Sequence, residues 1–336
     1  MRPAPTSGRA FRSERSVSRP GLPRLTDVSP DTSSTPPPGP DPVVGSSGID
    51  RVPAPVLFLV SGFSQYFGAA LAVGLFATVP ALAVSWWRIT LSAATLLLWR
   101  RPWRNRWTAR EIGASALFGI VLAAMNLSFY LAIDHLPLGT AVAIEFLGPV
   151  AVAAITGRGR GERFGIVLAA AGVLLLAGVT VSGGWTGSVV IGLAAILASG
   201  AFWAGYIVLG RRIATRRDGI TSLSVGMTAG GIVAIPFGVG SITAVVTDAR
   251  TVALLAGVAL LSSVLPYAVE QVVLKRVTAA QFAVLLALLP VAAAIVGALV
   301  LRQVPSVWEV IGVVLVCLAI ALAGGRQPSG DQLPGN

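Results

Sequence analysis

Of 336 residues, 54% are hydrophobic and only 12% charged, with a mean hydropathy of +0.80. A soluble domain carries roughly 25% charged and 45–50% apolar residues, so there are too few ionic groups here to cover a water-facing globule, and the apolar excess excludes disorder along the whole chain. The net charge of +11 does not imply nucleic acid, because no basic segment forms a separate module and basic residues flanking membrane spans account for it.

Residues 1–53 are rich in Pro, Ser, Gly and Arg, as in STPPPGPDP (34–42), and read as a disordered cytoplasmic leader. Glu14, Asp27 and Asp31 argue against a transit peptide, and the first apolar run, near Val56, begins too late for a secretory signal. From there apolar runs recur between short polar breaks, and a spanning helix needs roughly 17–25 such residues. Ten spans are predicted, near 55–73, 79–98, 112–132, 138–156, 164–181, 188–208, 221–240, 251–273, 279–301 and 306–324. The alternating pattern of a β-barrel is absent, so the expected class is an all-α membrane protein.

Loop charge tests the count. Alternate loops carry Arg100, Arg101, Arg104, Arg106 and Arg110, then Arg158, Arg160 and Arg163, then Arg211, Arg212, Arg216 and Arg217, then Lys275 and Arg276. The intervening loops carry only Arg250 and Arg302, which is fourteen against two. The positive-inside bias then places both termini in the cytoplasm.

The body is also doubled, since GPVAVAA (148–154) resembles LPVAAAI (289–295). Five spans per half is an odd number, so the second half lies inverted relative to the first. The expected organisation is a first repeat over 54–182, a second over 186–325 and a short cytoplasmic tail over 326–336. Inverted repeats are typical of secondary transporters, with the substrate site near the midplane where the repeats meet.

Polar residues within spans are costly unless paired or hydrated, so each is a candidate cavity residue. Arg88 lies halfway along span 2, Glu145 in span 4 and Glu270 in span 8. A fixed ion pair between Arg88 and one Glu is the structural reading; a carboxylate that carries a proton or meets a substrate ammonium is the functional one. All four tyrosines, Tyr66, Tyr130, Tyr206 and Tyr267, fall in spans. Asn126 and Tyr130 share one helical face, Tyr267, Glu270 and Gln271 another, while Ser61, Gln65 and Tyr66 add a stripe to span 1. These stripes either line a common cavity or act as hydrogen-bond glue between helices. Pro149 and Pro290 occupy matching places in spans 4 and 9 and are expected to break their helices, and matched interruptions of two repeats point to a binding site.

Enzyme chemistry has little to work with. One Cys (Cys317) and one His form no zinc set, and there is no Walker, dinucleotide or HExxH motif. No cofactor or metal is expected. A lipid-modifying enzyme would rest on Asp134 and His135 alone, in a short outer loop where a solvated turn explains them, and a sensor would need a signalling domain that 1–53 does not provide.

The segments PLGTAVAIEFLGPVAVA (137–153), MNLSFYLAI (125–133), FWAGYIVLGRR (202–212) and LPYAVE (265–270) resemble the EamA-type drug/metabolite transporter superfamily, most closely its threonine/homoserine exporter branch. The resemblance covers about residues 55–325. It implies ten helices in two inverted repeats and export of small amino acids or related metabolites driven by the proton gradient. Arg88, Glu145 and Glu270 match the branch, whereas Leu289 and Gln303 stand where the family commonly carries Glu, so no coupling role carries over to either. The expectation is therefore an inner-membrane exporter with a small-molecule substrate, a proton as coupling ion and alternating access. Drugs or nucleobases are the nearest alternative substrates, and the oligomeric state is open, a homodimer included. Substrate is expected near Glu145, Asn126, Tyr130, Tyr267 and Gln65; Glu145 meets its ammonium or exchanges a proton, and Arg88 meets its carboxylate or holds Glu145.

Overall fold

In a hydrocarbon solvent every backbone N–H and C=O must find its partner within the protein, and the chain meets that demand with helices. The computed structural model describes residues 52–156, 160–182, 184–213, 219–274, 276–277, 282 and 285–324, and among them there is no strand. The leader expected over 1–53 lies outside the described residues except for Val52 and Pro53, as do the tail over 326–336 and Arg158, Arg216, Arg217 and Lys275 of the basic loops.

In chain order the helices are α1 (Ala54–Leu75), α2 (Ala81–Arg100), α3 (Ala109–Ile133), α4 (Leu138–Glu145), α5 (Leu147–Thr156), α6 (Arg160–Ser182) and α7 (Gly187–Ile213). Then come α8 (Gly219–Val233), α9 (Ile235–Val246, which includes one 3-10 turn) and α10 (Ala249–Ala259). A π-helical segment over Leu260–Val264 leads into α11 (Leu265–Leu274), followed by α12 (Leu289–Val300) and α13 (Val307–Gly324).

Starts and stops follow local chemistry. Thr108 and Glu111 form a reciprocal capping box on α3, with Glu111 N–H donating to Thr108 Oγ1 and Thr108 N–H to the Glu111 carboxylate at 2.8 Å. Ser306 and Glu309 do the same at α13. Pro53, Pro80 and Pro137 precede α1, α2 and α4, and Arg101 closes α2 in a left-handed turn with φ 46°.

Six helical runs are long and apolar enough to cross a membrane: α1, α2, α3, α6, α7 and the run from Ala249 to Glu270. The pair α8 and α9 passes together as a seventh, bent by 63°. Three shorter apolar helices remain, Leu138–Val152, Leu289–Val300 and Val307–Leu322.

Proline explains the departures from straight spans. Pro236 cannot donate to the carbonyl four residues back, and the seventh span bends just before it, at Ala234. Pro149 likewise leaves the Glu145 carbonyl without its helical donor, and a turn at Phe146 separates α4 from α5. Pro290 stands in the first turn of α12, after a turn at Ala287 and Leu288, rather than in the middle of one continuous helix.

Where no hydrophobic effect draws helices together, small residues allow close approach. A Cβ on Gly119 of α3 would overlap the Gly226 carbonyl of α8, and one on Gly148 of α5 would overlap the Gly200 carbonyl of α7. Helix α3 thus lies against both α7 and α8, while α6 packs on α13 and α4 on α12. α1 packs on the π segment, α11 and α12.

Candidate functional site

Where α1, α2, α3, α4, α7 and α10–α11 face one another they enclose a polar cavity of about 120 Å³. Nine of the eleven polar residues singled out above line it: Gln65, Tyr66, Arg88, Asn126, Tyr130, Glu145, Tyr206, Tyr267 and Glu270. Ser61 is buried on α1 but does not line the cavity, and Gln271 is one residue past Glu270 on α11, with its side chain outside the described residues. Phe129, Trp203 and Ser262 complete the polar and aromatic wall.

Arg88 is the best-held side chain. It is 7% exposed and makes three hydrogen bonds. Its Nε donates to Ser263 Oγ at 2.9 Å, its Nη2 to the Ser262 carbonyl at 2.7 Å, and its Nη1 to Asn126 Oδ1. The Tyr130 ring lies 5.4 Å from the guanidinium carbon. Pro266 makes the Ser262 contact available, because it has no N–H for the carbonyl four residues back. Asn126 is oriented in turn by its Nδ2, which donates to the Leu122 carbonyl at 2.7 Å.

All three Arg88 partners are neutral. Among the described residues no carboxylate comes within 4.0 Å of the guanidinium, so the ion pair weighed from sequence does not form. A guanidinium carries five N–H donors, and the three bonds leave two unengaged among the described residues. Such an arrangement has the chemistry to take an anion, because in a low-dielectric setting an unneutralised charge is costly until a counter-charge arrives.

The acidic groups are held differently. Glu145 is 8% exposed, and Ser199 Oγ of α7 lies 2.5 Å from its Oε1. The same Ser199 Oγ lies 3.0 Å from the Met125 carbonyl of α3. Phe146 packs edge-on against Trp203, with ring centroids 4.7 Å apart, which fixes the break beside Glu145 onto α7. Glu270 has no hydrogen-bond partner among the described residues and shares the cavity wall with Tyr267.

Sequence reading missed Ser199, Ser262 and Ser263. A serine in an apolar span is common packing material, and only Pro266, three and four residues past the Ser262–Ser263 pair, marked a carbonyl seeking a donor. Leu289, one of the two family departures, is buried and reaches Gly62, where a Cβ would stand 2.6 Å from it. The other, Gln303, accepts the Leu138 N–H at 2.9 Å and so caps α4. Asp134 and His135 are 3.8 Å apart beyond the end of α3 and do not line the cavity.

The profile of the EamA-like transporter family matches residues 190–325. The threonine/homoserine exporter RhtA of Salmonella typhimurium is 32% identical over 272 residues, 81% of this chain and 90% of the relative. Its counterpart in Escherichia coli K12 is 34% identical over 250 residues, 74% of this chain and 83% of the relative. The chain belongs to the EamA-like transporter family.

An archaeal relative from Archaeoglobus fulgidus, described as an uncharacterized transporter, is 26% identical, with 73% of this chain and 88% of that protein covered. A solved crystal structure aligns with a TM-score of 0.53 over 80% of this chain and 96% of its own, and at 17% identity the likeness is one of fold. This EamA-like protein is therefore a multi-pass membrane transporter of metabolites rather than an enzyme.

Proposed function

We propose that this EamA-like transporter exports small amino acids of the threonine/homoserine type across the inner membrane in exchange for protons. The observation that carries the reading is the Arg88 guanidinium, buried, held by three neutral partners and with two further N–H groups unengaged among the described residues, in one cavity with Glu145 and Glu270. An α-amino acid is a zwitterion and complements that wall. Its carboxylate engages Arg88 and its ammonium meets Glu270, which has no other partner among the described residues. Glu145 exchanges the proton. Tyr130, Asn126, Tyr267, Gln65 and Gln271 shape the pocket around the substrate.

Alternating access rests on ten crossings in two inverted five-helix repeats, 54–182 and 186–325, with both termini in the cytoplasm. Support comes from the six long spans, the bent pair and the three shorter apolar helices, and from the fourteen-to-two loop charge bias. The turns at Phe146 and at Ala287–Leu288, each just ahead of Pro149 or Pro290, support matched half-helices at the repeat interface.

The test is growth of a host inhibited by homoserine and threonine. Expression of the wild-type chain restores growth, and Arg88→Gln and Glu145→Gln abolish the protection while the protein still reaches the membrane. Unchanged sensitivity to every amino acid tested, with protection against unrelated drugs, assigns another substrate class.

A further inference from the structure

Ser199 stands between two acceptors and owns one proton. Its Oγ lies 3.0 Å from the Met125 carbonyl, which can only accept, and 2.5 Å from Glu145 Oε1. A hydroxyl donates one hydrogen bond, so both contacts are satisfied together only if a second proton is supplied. Glu145 is the one group in this chain of hydrogen bonds able to supply it. As a neutral acid it donates to Ser199 Oγ, and Ser199 donates onward to Met125. As a carboxylate it accepts only, and the Ser199 hydroxyl must turn toward it and release the Met125 carbonyl.

We infer that Ser199 is a positioning residue that converts proton release at Glu145 into a change of hydrogen bonding at α3, and so couples the proton to the substrate. This rests on the reading that Glu145 exchanges the proton. The step balances: one proton leaves Glu145 for water in the cavity, the Ser199 proton rotates without leaving its oxygen, the hydrogen bond between Glu145 and Ser199 reverses direction, and the one to the Met125 carbonyl on α3 is given up.

The position of Met125 gives the rotation a consequence. The next residue on α3, Asn126, holds Arg88 through its Oδ1, so adjacent residues on one helical turn serve the proton site and the anion site. Making or breaking the hydrogen bond to the Met125 carbonyl bears on the frame that aims Arg88, and linkage makes the effect reciprocal, with anion binding at Arg88 favouring one state of Glu145. The Gly148–Gly200 approach keeps α7 close enough for Ser199 to reach Glu145.

Other charged or titratable groups face Glu145 across the cavity: Arg88 from α2, Tyr66 from α1, Tyr130 from α3, Tyr206 from α7, and Tyr267 and Glu270 from α11. None of them hydrogen-bonds it among the described residues, which leaves Ser199 as its direct partner.

The experiment uses the full chain reconstituted in liposomes with radiolabelled threonine and homoserine. It compares counterflow, which needs no net proton movement, with accumulation driven by an imposed pH gradient. Ser199→Ala is expected to keep counterflow within about twofold and to lose gradient-driven accumulation by about tenfold or more, while Ser199→Thr, which keeps the hydroxyl, restores it. Infrared spectra should show a protonated carboxyl band that Glu145→Gln removes and Ser199→Ala shifts to higher frequency. The inference is overturned if Ser199→Ala accumulates like wild type, loses counterflow and accumulation equally, or is matched by Ser199→Thr. A carboxyl spectrum that Glu145→Gln leaves unchanged overturns it as well. If Glu145→Gln uncouples the transporter while Ser199→Ala does not, the relay alone fails. Wild-type coupling in Glu145→Gln, or no transport by the wild type, removes the underlying reading too.

Discussion

Arg88 Nη2 donates to the carbonyl of Ser262 at 2.7 Å, across 174 residues of sequence. Pro266, four residues later, has no N–H to offer that carbonyl, so a helix defect on one span helps clamp a cation on another. The two serines of the π segment and Asn126 together give the guanidinium a fixed fork, and a fork rather than a point charge is what a carboxylate recognises.

Arg88→Lys keeps the positive charge but not that fork. An ammonium has three rotatable donors and cannot hold three protein partners while keeping two further N–H groups for substrate. Transport KM is expected to rise roughly tenfold to a hundredfold, with protein yield unchanged. Kinetics of threonine and homoserine transport check it, and an unchanged KM removes Arg88 from the substrate site.

Pro266→Ala supplies an N–H to the Ser262 carbonyl. The helix then competes with Arg88 for that oxygen, and substrate binding is expected to weaken by about 1 kcal/mol, close to a fivefold increase in KM. The thermal midpoint should hold or rise, since an internal helical bond is restored. Tighter binding in the variant would mean that the π segment opposes the site.

Close approach makes a third expectation. Gly119→Ala places a methyl against the Gly226 carbonyl and is expected to destabilise the protein by about 1–3 kcal/mol. Gly113→Ala on the same helix has nothing within 4 Å and should be neutral or stabilising by up to about 1 kcal/mol. Thermal melting of the two variants in detergent separates packing from helix propensity.

At the start of α10, Asp248 is exposed, and its carboxyl is held below the usual carboxylate range, first by the Thr251 hydroxyl and then by the Arg250 N–H. Because the folded value is depressed, the cap contributes in full above the unfolded carboxylate range, and its contribution fades as pH falls through the depressed folded value. Asp248→Asn should flatten that acid limb of the melting curve. An unchanged limb would place the titration elsewhere.

Gln303→Ala removes the acceptor for the Leu138 N–H and is expected to cost about 1 kcal/mol, whereas Gln303→Glu retains a capping oxygen and should cost less. Melting midpoints of the pair distinguish a cap from a coupling site; a new pH dependence of transport in Gln303→Glu would favour the latter.

Much was legible in the chain alone. Apolar runs near spanning length, separated by basic loops, demand helices in lipid whatever their neighbours, because no other backbone arrangement satisfies its own polar groups there. Rare polar residues in such runs must find one another or water, which is why Gln65, Arg88, Asn126, Tyr130, Glu145, Tyr267 and Glu270 all line one cavity. What sequence spacing did not carry was the bonding among them. From sequence an ion pair between Arg88 and a Glu stood beside an Arg88 kept for a substrate carboxylate, and the bonding was decided by neighbours 38 to 175 residues away: Asn126, the Ser262 carbonyl and Ser263. Ser199 reaches Glu145 across 54 residues only because two glycines let α7 close on the break after α4. Periodicity determines which residues must leave the lipid; the approach of one helix to another decides which atoms they meet.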